Sequence, residues 1–294
     1  MVSYARLSRS CCAVLTGGIL LAGCSGGGGG SGGPKPSASP SASGSASASA
    51  SGSASGTASV SGSPSSSASA TPDPLATPTA LSFTFDPARA PRNEADAKRL
   101  ALDVLAEPDS WGPGFTERTP YLSADDYWPV LPATCRWETG ARPSTVLYSV
   151  TGYSRLPAKG AKGLLQVAAT VTVHTSVDEA DWEMAQTLEE ALRCPDQVLR
   201  DGEKVTGLFS LGNPFGVNGN FTAADTVSER GKYVRAGVAG EHYYGWSQSR
   251  VGTVTLAVSA KGAAGHTEDE VSTSMVRALV AMLNRTQAEL EVEK

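Results

Sequence analysis

An α+β domain, with an antiparallel sheet and helices packed on it, is the fold class the sequence predicts for residues 81–294, and three observations lead there. Two runs of period-two alternation follow one another through a Gly- and Lys-rich turn. Two boxes of the form Ser/Thr-x-x-Glu each open a stretch of 3.6-residue periodicity. The remaining alternating runs are neighbours in sequence, whereas parallel winding would place a helix between each pair of strands. The expected order is helix, hairpin, helix, strands, helix.

The first helix is read over residues 93–106, where Ala97, Leu100, Ala101, Val104 and Leu105 recur at helical spacing, Asn93 caps the start and Pro108 stops the run. Residues 109–142 are rich in Pro, Gly and aromatics and read as an irregular wrap, with Tyr121, Tyr127, Trp128 and Trp137 around Cys135. Val146, Tyr148 and Val150 begin a strand. Leu165, Val167, Ala169, Val171 and Val173 alternate with Gln166, Thr170, Thr172 and His174 in the next, and "PAKGAKG" joins the two into a hairpin with one dry face. Ser176 and Glu179 make a capping box before a helix whose stripe is Ala180, Met184, Leu188 and Ala191, ending at Cys194. Further strands are expected at 204–211, 232–238, 241–248 and 253–259. Thr267 and Glu270 form a second box, opening a final helix with Val271, Met275, Ala278, Leu279 and Met282 on its apolar face.

Everything before this domain reads as delivery. Arg6 and Arg9 precede an apolar run over 11–22 that is too short to span a bilayer, the layout of an export signal. Leu21-Ala22-Gly23-Cys24 resembles the lipobox of bacterial lipoproteins, which implies a signal peptide of residues 1–23, cleavage after Gly23 and a lipidated Cys24. From 25 to 80 the chain is almost wholly Ser, Ala, Gly, Pro and Thr, with only Lys35 and Asp73 charged, so it cannot bury enough apolar surface to offset the entropy of ordering. Residues 24–80 are therefore expected to be a lipid-anchored disordered tether with a root-mean-square reach of about 40 Å. Its Ser/Thr-Pro content suits O-glycosylation as well as it suits an unmodified linker. The expected location is the extracytoplasmic face of the cell membrane.

The same compartment governs the cysteines. Cys11 and Cys12 leave with the signal and Cys24 takes the lipid, so Cys135 and Cys194 remain as an even pair in an exported domain and predict a disulfide; two free thiols or half of a metal site are the alternatives. His174, His242 and His266 are isolated from one another and from both cysteines, a pattern that argues against a metal centre, and no cofactor motif is present. Past residue 80 there are 21 Lys and Arg against 28 Asp and Glu, a net charge of −7 that argues against nucleic acid and against adhesion to anionic lipid.

The helix from Ser176 to Cys194, Arg250 ahead of "VTLAVSA" and the closing alanine-rich helix together resemble the extracellular sensor domains of PknH-type serine/threonine kinases, and the free-standing actinobacterial lipoproteins that share that domain. The resemblance spans residues 93–287. It implies a non-catalytic binding or sensing module with a cleft, acting on an unknown cell-envelope ligand or protein partner.

Candidate ligand contacts come from "EHYYGWSQSR". Strand alternation places His242, Tyr244, Trp246, Gln248 and Arg250 on one face, a row suited to stacking on a sugar or aromatic ring; the alternative is that the aromatics are core and the charged ends exposed. No catalytic residues are assigned. "GCSGG" matches a nucleophile-elbow pattern but sits at the cleavage site, and Gly245-Trp246-Ser247-Gln248-Ser249 lacks the closing glycine, so a triad of Ser247, His242 and Asp225 has no elbow to stand on. Asp125-Asp126 lies in the wrap, where solvation accounts for it, and "LGNPFGVNGN" over 211–220 lacks the lysine of a phosphate loop and reads as a turn-rich connection. An envelope hydrolase and a lipid carrier are the alternative functions.

Overall fold

The computed structural model describes residues 81–292. The expected signal peptide, Cys24 and the tether lie outside the described residues. Helix α1 (Glu94–Val104) is followed by β1 (Thr116–Leu122), β2 (Pro129–Val130), β3 (Glu138–Thr139), β4 (Val146–Leu156) and β5 (Leu165–His174). Next come α2 (Val177–Arg193), β6 (Gln197–Arg200), β7 (Glu203–Pro214), β8 (Asp225–Arg235), β9 (His242–Val251), β10 (Val254–Lys261) and α3 (Glu268–Leu290). Eight strands make one curled antiparallel sheet in the order β1-β4-β5-β10-β9-β8-β7-β6, and β2 pairs with β3 apart from it. The fold is α+β, dominated by its sheet.

The helices start where polar caps relieve their first free N–H groups. Asn93 Oδ1 accepts from Asp96 N at 2.9 Å, and Ser176 Oγ accepts from Glu179 N at 3.2 Å. At α3 both halves of the box form, Thr267 Oγ1 with Glu270 N and Glu270 Oε2 with Thr267 N; at α2 only the hydroxyl half is present.

Alternation then sorts the sheet into two faces. On one, Val167, Ala169, Val171 and Val173 of β5 and Leu256 and Val258 of β10 pack under α1 and α3, meeting Leu100, Val104, Met275 and Met282 in the main core. Each such buried Val, Leu or Met side chain contributes roughly 1.5–3 kcal/mol. Gly245 allows α3 to lie close on β9, since a Cβ there would come within 2.8 Å of Met275 Sδ. The opposite face of the central strands is polar and carries α2.

Three segments depart from the sequence expectation. The wrap contains β1, which extends the sheet beside β4, and the β2–β3 pair; most of β1 is exposed at the sheet's edge, so it shows no alternation to read. The strand expected at 232–238 is instead β8, because Val238 lies exposed in a turn while the polar Thr226, Ser228 and Arg230 are strand residues facing away from α2. The run "LGNPFGVNGN" is strand as far as Pro214 and turns only after it. Cys135 and Cys194 form a disulfide with Cα atoms 5.4 Å apart. Beside it Val198 N donates to Cys135 O at 2.9 Å and Trp137 N to Val198 O at 3.0 Å, so the wrap adds a short parallel bridge to the β6 edge.

The two ends of the described chain also meet. Asp86 N donates to Leu290 O at 2.8 Å and Val292 N to Thr84 O at 3.0 Å, and the Phe85 ring sits directly on Gly252, whose φ of +57° makes the β9–β10 turn. Among the described residues, no helix is long and apolar enough to cross a membrane.

Candidate functional site

Between the polar face of the sheet, α2 and the disulfide-held wrap lies a cavity of about 680 Å3. Its floor follows from register. Ser210, Glu229, Trp246, Ser259, Ala168 and Tyr153 are successive cross-strand partners from β7 to β4, and all but Ser210 line the cavity. The next row holds Gln248, Ala257, Thr170 and Thr151. Small residues at the middle of each row keep the floor low while Trp246 and Tyr153 stand at its sides, and Thr151 and Thr170 bond to each other at 2.9 Å. Tyr127, Trp128 and Trp137 of the wrap complete the aromatic wall.

Helix α2 roofs this floor and is fastened at both ends. Near its start Glu183 accepts from His174 Nε2 at 2.6 Å, from Thr255 Oγ1 at 2.8 Å and from Gln248 Nε2 at 3.0 Å. Thr187 Oγ1 donates to Gln248 Oε1 at 2.8 Å. His174 and Gln248 are fully buried, and this network supplies their polar partners. At the other end Arg193 reaches Leu131 O at 2.9 Å, Gln197 accepts from Trp137 Nε1 at 2.8 Å, and the disulfide closes the corner.

The cavity's charges are of two kinds. Arg118 lies over the Tyr153 ring at 3.9 Å, Arg193 is bonded to Glu189 at 2.9 Å, and Lys261 is held by Glu203 at 3.0 Å. Burial would raise the Glu203 carboxyl, but its bonds from Arg200 and Lys261 outweigh that and hold it at about 2. Glu190 and Glu229 behave oppositely. Burial pushes each up to about 7; the charges of Glu189 and Glu183 add to the rise at Glu190 against Arg193, and Glu190 adds to that at Glu229 against the nearby Ser210 hydroxyl.

No family of known proteins matches the chain, and no curated protein matches it in sequence.

The row read from "EHYYGWSQSR" divides along its length. Tyr244, Trp246 and Gln248 line the cavity, and Tyr244 also packs with Ala191, Val205, Leu208 and Tyr233 in a second apolar cluster that Trp246 adjoins. The indole Nε1 of Trp246 is buried without a hydrogen-bond partner. Arg250 is bound to Asp225 and lies 3.5 Å from Asp181 of α2, and neither it nor His242 is part of the lining. Ser247 falls on the other face of β9 from His242, while Asp125 takes hydrogen bonds from Lys98 and Tyr148, each at 2.8 Å. Among the described residues no cluster of three or more His, Cys, Asp and Glu is placed to hold a metal ion.

Glu183, Glu190 and Glu229 are the site residues that sequence reasoning passed over. The first two, with Thr187, are spaced three to four apart on α2 and read as a solvated stripe beside the dry one. Only the register of β8 against β9 shows that Glu229 adjoins Trp246.

Proposed function

We propose that the chain is a lipoprotein, anchored through Cys24 on the extracytoplasmic face of the cell membrane, whose tethered domain binds or senses a small polar cell-envelope ligand without turning it over. The observation that carries the binding half is the cavity itself. Its 680 Å3 falls within the roughly 300–1,000 Å3 usual for small-molecule sites, and its aromatic walls with a hydroxyl- and amide-bearing floor suit a ring-bearing polar ligand better than a lipid chain. The lipobox and tether supply the location, and the resemblance to extracellular sensor domains points the same way.

Native mass spectrometry of the full chain released from its membranes tests the reading. A bound species of fixed mass is expected on the wild type and absent from Ala257→Leu, whose larger side chain would occupy the floor. The same adduct on both proteins, or none on either, would count against the cavity as a binding site.

A second reading, an envelope hydrolase, is favoured by one observation: a buried carboxyl at about 7 is the group a general acid needs at neutral pH. Hydrolysis of a glycoside or ester that is lost in Glu229→Gln, with the fold intact, would replace binding by catalysis.

A further inference from the structure

The corner of the cavity where α2 crosses β8 and β9 holds two carboxyl groups that the protein's own cations do not neutralise. Glu229 is 7 % exposed, lines the cavity and stands beside Trp246 in the sheet. Glu190 faces the same cavity from α2. Among the described residues neither makes an ion pair. The bases that share the cavity are engaged elsewhere: Arg118 on the Tyr153 ring, Arg193 on Glu189 and Leu131 O, Lys261 on Glu203. The corner therefore combines two carboxyls without an ion-pair partner, Arg193 acting on Glu190 only from beyond pairing distance, an aromatic ring next to Glu229, and open volume.

We propose that this corner takes an organic ammonium group, a primary amine carried on an aromatic or aliphatic body, with its N–H groups donating to Glu229 and Glu190 and its body against the Trp246 ring. The assignment rests on the cavity being a binding site. A cation turns the mutual repulsion of two carboxylates into two charge-assisted hydrogen bonds, and an indole face beside them adds attraction of its own. An anionic ligand would instead meet Glu190 and Glu229 unshielded. A neutral one would gain no charge-assisted hydrogen bond from either carboxyl.

The same geometry ties binding to pH. The groups facing the pair are Glu183, Glu189 and Arg193 on α2, Ser210 on β7 and Tyr244 and Trp246 on β9, with the Lys261–Glu203 pair further along the floor. Burial holds both carboxyls protonated until about pH 7. An ammonium ligand must displace those protons, so its affinity rises as pH passes through that value.

Titration of the full chain with tyramine, and with N-acetyltyramine as the uncharged control, tests this. Tyramine is expected to bind at least about tenfold tighter near pH 8 than near pH 6, since each carboxyl at about 7 that must ionise contributes about that factor. N-acetyltyramine is expected to bind at least about tenfold more weakly and without that dependence. Glu229→Gln should weaken tyramine and make its pH profile shallower, and Glu190→Gln provides the same reading should the first variant fold poorly. Equal binding of the two compounds, a flat profile in the wild type, or no saturable binding of tyramine overturns the ammonium assignment. A fixed-mass adduct abolished by Ala257→Leu would still uphold the cavity reading in each of those cases, so the two fail separately.

Discussion

Glu229 and Glu203 lie buried on the same face of adjacent strands, yet their carboxyls are shifted in opposite directions. Glu203 is surrounded by Arg200, Lys261 and, at 3.8 Å, Arg235, and its carboxyl is held at about 2. Because that is below the ordinary value of 4.5, it contributes stability that is present above 4.5 and is lost as pH falls through about 2. Glu190 and Glu229 are raised to about 7, so between 4.5 and 7 the unfolded chain has ionised them and the folded one has not. Stability therefore declines as pH rises across that window, and these three groups together favour the mildly acidic range. Denaturant unfolding across pH should show the decline above 4.5, and Glu229→Gln should remove part of it while raising stability near neutrality. A wild-type profile that rises steadily from 4.5 to 7 would contradict the assignment. None of this could be read from the sequence, where a single Glu in a strand and another on a helix carry no sign of their neighbours.

At the scale of elements, α2 depends on polar fastening more than its sequence suggests. Half of its dry stripe, Ala180 and Ala191 against Met184 and Leu188, is alanine, and the neighbouring stripe faces the cavity. The Glu183 network fastens the helix instead. Glu183→Ala would leave His174 and Gln248 without an acceptor in the interior, a loss of about 2–4 kcal/mol. Thr187→Val removes one hydrogen bond and should cost about 1 kcal/mol. Thermal melts of the two variants give the ordering, and near-equal melting temperatures would show that the network does not hold the helix. Reducing the disulfide, which closes a separation of 59 residues, should cost on the order of 4 kcal/mol in the chain-entropy account and free the wrap from the β6 edge. Helix caps and the β4–β5 hairpin were legible because they are local: a box of four residues, an alternation of five. The wrap's strand and the true start of β8 were not, since their pairing is long-range and their exposed faces carry polar residues on both sides of the pattern.

For the whole molecule, the sequence pattern conveyed an antiparallel sheet with helices on it, and alternation in β9 singled out Tyr244, Trp246 and Gln248, three residues that line the cavity. It did not convey that one face of the sheet would be left partly uncovered, because small residues such as Ala168, Ala257 and Ser259 read as ordinary strand members until the strands are placed in order. The proposed anchor has its own test at this scale. Wild-type protein is expected to fractionate with membranes and to incorporate radioactive palmitate, and Cys24→Ala to lose both; a variant that stayed labelled and membrane-bound would exclude the lipobox.

The meeting of residues 84–86 with residues 290–292 bears on the tether proposed for the domain's amino-terminal side. Any drag on the domain enters at Thr84, Phe85 and Asp86, and the first resistance it meets is a pair of backbone hydrogen bonds to the end of α3 together with the Phe85 ring on the Gly252 turn. A tether attached there would pull on the α1 and α3 side of the sheet, where Phe85 packs against the main core, whereas the cavity lies on the α2 side.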